Sequence, residues 1–203
     1  MMKKRFILAS RSPRRSELLK QLGFDFDIIP SRVEENSEQN ETPREQVIRL
    51  AEAKALDVGS QHPDRWVIAA DTVVCIDESI LGKPKNAEEA FDMLNRLSGQ
   101  DHVVLSGFSV HHFGKEKGAH QAVQTVVKVK PLTPVEMKWY VNTGEPFDKA
   151  GGYAIQGIGS FMIESICGSY TNVVGLPLCE LIETLDRLGA ITLSEAGFQI
   201  RGS

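Results

Sequence analysis

Asp71 stands inside WVIAADTVVCI, residues 66–76, the most apolar run of the chain. A carboxylate there must be paired, protonated or holding a metal, because a lone charge in a low-dielectric core costs several kcal/mol. The plainer alternative is an acid at a strand end that accepts backbone hydrogen bonds. Ala69 and Ala70 before it and Thr72 after it are small, which leaves room beside the carboxylate for a ligand. Lys54 is the second residue out of place. On a helical projection Val47, Leu50, Ala51 and Val58 share one face, and Lys54 lands in the middle of it. Snorkelling, with the stem packed and the ammonium in water, is the ordinary explanation for such a lysine.

Positive charge gathers at an unexpected place in LASRSPRR, residues 8–15. With Ser12 as N-cap and Pro13 at the first helical position, Arg14 and Arg15 fall in the first turn. Unpaired N–H groups already make that end electropositive, so an acidic residue is the usual occupant. An anion bound from outside would resolve the conflict, with arginine forks and helix N–H groups both holding phosphate oxygens. Glu34 and Glu35 follow a strand end, where an acidic pair is usually solvated, yet a carboxylate is also the ordinary protein ligand of magnesium. Lys83, in the turn LGKP, is ordinarily a solvated loop lysine, although Pro84 fixes the backbone behind it. The segment DKAGGYAIQG offers glycines for close backbone approach, the flat ring of Tyr153 and the amide of Gln156. It matches neither a P-loop nor a dinucleotide fingerprint. Together these residues suit a polyphosphate and its metal, with Asp71 and Glu34 as candidates to bind the ion or activate water.

Six motifs in order, SRSPRR, EAKA, AADTVV, LGKP, GEPFDKAGGYAIQG and GSYTNVVGLP, resemble the Maf-like family of nucleoside triphosphate pyrophosphatases over roughly residues 5 to 189. The IQG after DKAG resembles the branch acting on dTTP and UTP. The resemblance implies hydrolysis between the α and β phosphates, giving a monophosphate and pyrophosphate, with Mg or Mn as cofactor. It implies Asp71 as proton acceptor for the attacking water and Arg14, Thr72 and Gln156 as residues that set substrate choice. It further implies Ser10, Arg15, Glu34, Lys54 and Lys83 as polar pocket positions, while Arg11 matches a variable position and is expected to face solvent. Gln156 is suited to the O4 and N3–H edge of thymine or uracil, because an amide both donates and accepts.

The elements that must position these residues follow from pattern and caps. FILA and FDFDIIP read as strands around the first helix, for which Gly23 is a C-cap. Capping boxes at Thr42, Asn86 and Thr133 open three further helices, the first running to about Val58. WVIAADTVVCI reads as a central strand covered on both faces, followed by a turn through Asp77, Glu78 and Ser79. DHVVLSGFSVHHF and HQAVQTVVKVKPL flank GKEKG as a long antiparallel hairpin, and FMIESI, the loop SYTNVVGLP and the helix LCELIETLDRLG complete the pattern. The expected fold is α/β, a mixed twisted sheet with helices on its faces, like Maf and inosine triphosphatase proteins. One domain over 1–189, with two lobes around a cleft as an open variant, precedes a peripheral tail at 190–203.

The chain has 203 residues, 41% hydrophobic and 25% charged, with a formal net charge of −4, which argues against a broad surface for nucleic acid or anionic lipid. FILA is too short for a signal-peptide core and no membrane span follows, so a cytoplasmic protein is expected. Cys75, Cys167 and Cys179 form no close pair and read as three reduced, buried thiols; His111 and His112 point to opposite faces of a strand and receive no role. The expected partner is a nucleoside triphosphate; a homodimer is left open. Two rivals remain at this point. One is a nucleotide-sensing regulator of septum formation without essential catalysis, which pyrophosphate release from dTTP or UTP discriminates. The other is a house-cleaning enzyme for modified pyrimidine nucleotides, which a panel of such triphosphates discriminates.

Overall fold

The structure, a computed structural model, describes residues 5–77, 79–194 and 197–200. The first four residues, Glu78 of the expected turn, and residues 195, 196 and 201–203 of the tail lie outside the described residues. The elements run β1 (Phe6–Leu8), α1 (Pro13–Gln21), β2 (Phe26–Ile28), α2 (Pro43–Gly59), β3 (Trp66–Ile76), β4 (Ser79–Leu81), α3 (Ala87–Leu97) and β5 (Asp101–His112). They continue as β6 (Lys117–Val129), α4 (Pro134–Asn142), β7 (Ile163–Cys167), α5 (Tyr170–Val174), α6 (Leu178–Arg187), β8 (Ile191–Ser194) and β9 (Gly197–Ile200). Short 3₁₀ turns at Glu145–Asp148, Ala150–Gly152 and Ile158–Met162 occupy the glycine-rich stretch before β7. A mixed seven-stranded sheet has the order β2-β1-β3-β5-β6-β7, with β4 paired to β3, and β8 pairs with β9 in a second sheet. No described helix is long and apolar enough to cross a membrane.

Two compact units divide the chain. One takes the described residues up to Asp71, Ser106–Ala122 and those from Gly175 onward; the other takes Thr72–Leu105 and Val123–Val174. In the first unit β1 pairs in parallel with both β2 and β3. Ile7 of β1, Ala9 just past its end, and Val67 and Ala69 of β3 pack against Ala55 and Val58 of α2. The apolar face of α2 is buried at Val47, Leu50, Ala51, Ala55 and Val58, with Lys54 among them. Gly107 on β5 lets that helix approach closely, since a Cβ there would lie 2.3 Å from the carbonyl oxygen of Val47. In the second unit β3 continues and pairs antiparallel with β4, Val74 facing Leu81. Val74, Leu81, Leu94, Val127, Tyr140 and Tyr153 belong to its core.

Caps predicted from sequence form as hydrogen-bonded structures at Thr42 and Thr133, where each N3 glutamate also bonds back to the cap residue. At Asn86 only half of the box forms. The Asn86 side chain accepts from Glu89 N–H, but the Glu89 carboxylate takes the N–H of Lys85, one residue further back. SYTNVVGLP, read as a loop, contains α5, and the turn after β3 contains the short strand β4. The thiols also differ from expectation, because Cys75 is half-buried while Cys167 and Cys179 are exposed. Cys167 ends the edge strand β7, and Cys179 lies in the first turn of α6, so neither position is covered as an interior one would be.

Candidate functional site

β1 ends at Leu8, which pairs with Ile68, so β3 runs past its parallel neighbour just before Asp71. The carboxyl ends of parallel strands are where open α/β sheets receive ligands. Asp71, 7% exposed, is not a solvated cap there: Lys54, 6% exposed, donates to its Oδ1 at 2.7 Å. The same ammonium donates to Glu35 Oε1 at 2.6 Å. Lys54 is therefore a buried bridge between two acids and does not snorkel. Its place on α2 sets this geometry, because a residue in the middle of the apolar face points at the sheet.

The loop that brings Glu35 to this bridge is tied to α2 at two further points. Asp57 Oδ2 accepts from Ser31 Oγ at 2.8 Å and from Arg32 N–H at 2.9 Å. Arg49 donates to both carboxylate oxygens of Glu41 and to the carbonyl of Asn36. Within that loop the two acids have different fates. Glu34, the residue singled out from sequence, is exposed and accepts from Asn36 Nδ2 at 3.0 Å, while Glu35 meets the buried lysine. Neighbouring residues in an extended loop point opposite ways, and sequence offers no sign of which one turns inward.

Ser12 caps α1 as expected, its hydroxyl accepting from Arg15 N–H at a long 3.5 Å, and no acid occupies the first turn. Arg15 turns back toward β3. Its Nε donates to the Gly175 carbonyl at 2.8 Å, and its Nη1 to the Ala70 carbonyl at 2.8 Å and to Ser10 Oγ at 3.2 Å. Ser10 also accepts from Ser12 N–H at 3.2 Å, so it fixes the turn into the helix. Burial pulls the Arg15 pKa below its ordinary value, the attraction of Asp71 and then of Glu35 opposes that pull, and Arg14 adds to it by repulsion. Arg15 thus pins the backbone beside Asp71, a task that the sequence reading did not give it. Arg14 is half-buried in the same turn, and Arg11 is exposed.

In the second unit Thr72 is half-buried directly after Asp71 in β3. Lys83 is exposed, but the turn that carries it is held on both sides, since the Gly82 carbonyl accepts from Gly151 N–H at 3.0 Å and Pro84 is buried. Gly151 takes a φ of +71° and has Val74 within 3.0 Å of where a Cβ would be, so glycine is required for this approach. Gln156 is half-buried. Tyr153 offers no flat surface to a ligand: it is 5% exposed, and its hydroxyl lies 2.6 Å from His102 Nε2. Burial pushes the Tyr153 pKa well above the usual tyrosine value.

Among the described residues no group of three or more His, Cys, Asp or Glu converges as a metal cage. Glu35 and Asp71 nevertheless converge on one ammonium, so a divalent cation there would take the carboxylate oxygens that Lys54 leaves open. Two carboxylates completed by water and phosphate oxygens are a donor set that fits Mg²⁺ or Mn²⁺.

The family model described as "Maf-like protein" matches residues 5–188. A "dTTP/UTP pyrophosphatase" of Syntrophus aciditrophicus is 51% identical over 194 residues, covering 96% of this chain and 95% of the relative. Proteins of the same description from Syntrophotalea carbinolica and Geotalea uraniireducens are 53% and 48% identical, covering 92% and 93% of this chain and 86% and 97% of their own lengths. By this match and these identities, the chain belongs to the Maf-like protein family.

Proposed function

We propose that the protein hydrolyses dTTP and UTP to the nucleoside monophosphate and pyrophosphate. Relatives of about half identity over nearly the whole chain carry that description, which supports the substrate class. The observation that carries the chemistry is the buried Lys54 held between Asp71 and Glu35, close to a helix start that has arginines and no acid. A structural ion pair would not need a second acid, and a structural helix would not need cations at its positive end.

In this reading a water oxygen attacks the α-phosphorus and the bond from that phosphorus to the α–β bridging oxygen breaks. Lys54 holds Oδ1 of Asp71, and Oδ2 takes the proton that the water loses. Arg14, Lys54 and Lys83 offset the negative charge that builds on the departing pyrophosphate, and Arg15 and Ser10 keep the strand end and helix start in register. Thr72 and Gln156 serve substrate choice, Gln156 by donating to O4 and accepting from N3–H of the base. Glu35 and Asp71 would hold a divalent cation, which supplies charge neutralisation at the phosphates when bound, while Glu34 faces away from these two acids. The residues act by positioning, where a displacement of about 1 Å costs on the order of a hundredfold.

Pyrophosphate release from dTTP and UTP with magnesium or manganese tests the assignment. Asp71→Asn keeps size and hydrogen bonding but loses the base, and kcat should fall by about 10²- to 10⁴-fold. Absence of pyrophosphate from any nucleoside triphosphate in the presence of metal would refute the proposal.

A further inference from the structure

Gln156 carries the proposed base contact, yet its own turn contributes little that would fix an amide in one direction. The next residue, Gly157, has φ +76° and ψ −149°, a region open only to glycine, and gives the following 3₁₀ turn no side-chain cap. The cap comes from Glu145 instead. Glu145 Oε1 accepts from Gly159 N–H at 2.9 Å and from the Tyr140 hydroxyl at 2.9 Å, and its Oε2 accepts from Ile158 N–H at 3.0 Å. Both glycines of QGIG make room for this arrangement. A Cβ on Gly157 would lie 2.7 Å from Glu145 Oε2, and one on Gly159 would lie 2.7 Å from the Tyr140 hydroxyl.

The carboxylate is itself held in place. Tyr140 is fully buried, and Lys149 Nζ donates to the Glu145 carbonyl at 2.6 Å. Burial alone would raise the Glu145 pKa, but the Gly159 and Ile158 N–H groups and the Tyr140 hydroxyl outweigh it and hold the acid below its usual value. On the other side of Gln156 the chain is anchored at Tyr153, whose ring meets His102 edge-on at 5.2 Å and whose hydroxyl bonds it. Only Ala154, Ile155, Gln156 and Gly157 lie between the two anchors.

We propose that Glu145 is a positioning residue for base selection, its carboxylate clamping the turn after Gln156 so that the Gln156 amide meets the base in one orientation. The inference rests on the reading of Gln156 as the base-contacting residue. Glu145 touches no reacting atom; it acts by removing the alternative backbone directions at Gly157, and so it should affect discrimination more than chemistry.

The test is kcat and KM for UTP and CTP, measured with the full chain and metal. Glu145→Ala should lower the UTP/CTP ratio of kcat/KM by about tenfold, mainly through a higher KM for UTP. Tyr140→Phe removes only one of the clamp's hydrogen bonds and should lower the ratio by about two- to threefold. Glu145→Gln, which keeps one acceptor oxygen, should fall between Glu145→Ala and wild type, and with Tyr140→Phe it serves where Glu145→Ala does not fold. Adding Glu145→Ala to Gln156→Ala should lower the ratio no further, because both act through one contact. Amide exchange at Ile158 and Gly159 should also be faster in Glu145→Ala. A ratio that Gln156→Ala lowers and the Glu145 and Tyr140 variants leave alone overturns the clamp only, as does an additive loss in the double variant. A ratio unchanged by Gln156→Ala overturns the base contact and the clamp together, while pyrophosphate release still judges the activity separately.

Discussion

Lys54→Met separates the charge of the buried bridge from its packing, because methionine keeps most of the aliphatic stem on the apolar face of α2 and removes the ammonium. Two carboxylates lose their shared partner. Glu35 has a side chain 54% exposed and returns to water at little cost. Asp71, 7% exposed, cannot. Breaking a buried pair from one side costs about 3–5 kcal/mol, since the remaining charge stays desolvated. Arg15 lies close enough for Asp71 to act on its charge, which places the expected loss at the lower end, about 3 kcal/mol.

Such a loss lowers the urea midpoint by about 1–2 M if the slope is unchanged. In thermal unfolding it lowers Tm by roughly 6–12 °C for a chain of this size. Adding Asp71→Asn to Lys54→Met removes the stranded charge, and the double variant should recover to within about 1 kcal/mol of wild type. Glu35→Gln should cost no more than about 0.5 kcal/mol. A midpoint for Lys54→Met within about 0.3 M of wild type would sink the reasoning. So would a double variant no more stable than the single one, because the cost would then lie in packing and not in a buried carboxylate without a partner.

Two other perturbations probe the frame around the site. Burial pushes the His102 pKa from 6.5 down to about 4, with Asp101 opposing the shift, so the folded chain holds this ring neutral where the unfolded chain protonates it. Its stabilising contribution is complete above pH 6.5 and is lost as pH falls through the window to about 4, amounting to about 3 kcal/mol at most. His102→Gln should flatten Tm against pH across that window, and equal slopes for variant and wild type would contradict it. Gly107→Ala places a Cβ 2.3 Å from the Val47 carbonyl oxygen, an atom of helix backbone that cannot rotate away, so α2 must shift at a cost of about 2 kcal/mol. Because α2 also carries Lys54, pyrophosphate release should fall by about tenfold or more, whereas a loss of stability with full activity would show that the helix moves without the lysine.

How far the site was legible in the sequence depends on how local its causes are. Lys54 announced itself because helical periodicity is a property of a short window, and its place on the apolar face of α2 follows from that window alone, whereas the burial of its ammonium depends on Asp71 and Glu35. The limits of β3 were readable for the same reason: a strand covered on both faces is a run of apolar residues, and Asp71 stands out against that run. The caps at Ser12, Thr42 and Thr133 depend on residues three apart, whereas Glu89 had a competing N–H at Lys85 within equal reach. What remained hidden involves partners distant in sequence. Arg15 finds its acceptor at Gly175 O, 160 residues away, and a backbone carbonyl leaves no mark on residue identity. The choice of Glu35 over Glu34 depends on Asp57 and Arg49 of α2 seizing the loop, and Gly107 is needed only because Val47 lies above it. The same distinction separates the two parts of the proposed site. Lys54, Asp71 and the arginines at the start of α1 break local rules and so were visible from sequence, whereas the Glu145 clamp obeys them, a glutamate beside a proline in an ordinary turn, until the glycines at 157 and 159 are seen to leave space for it.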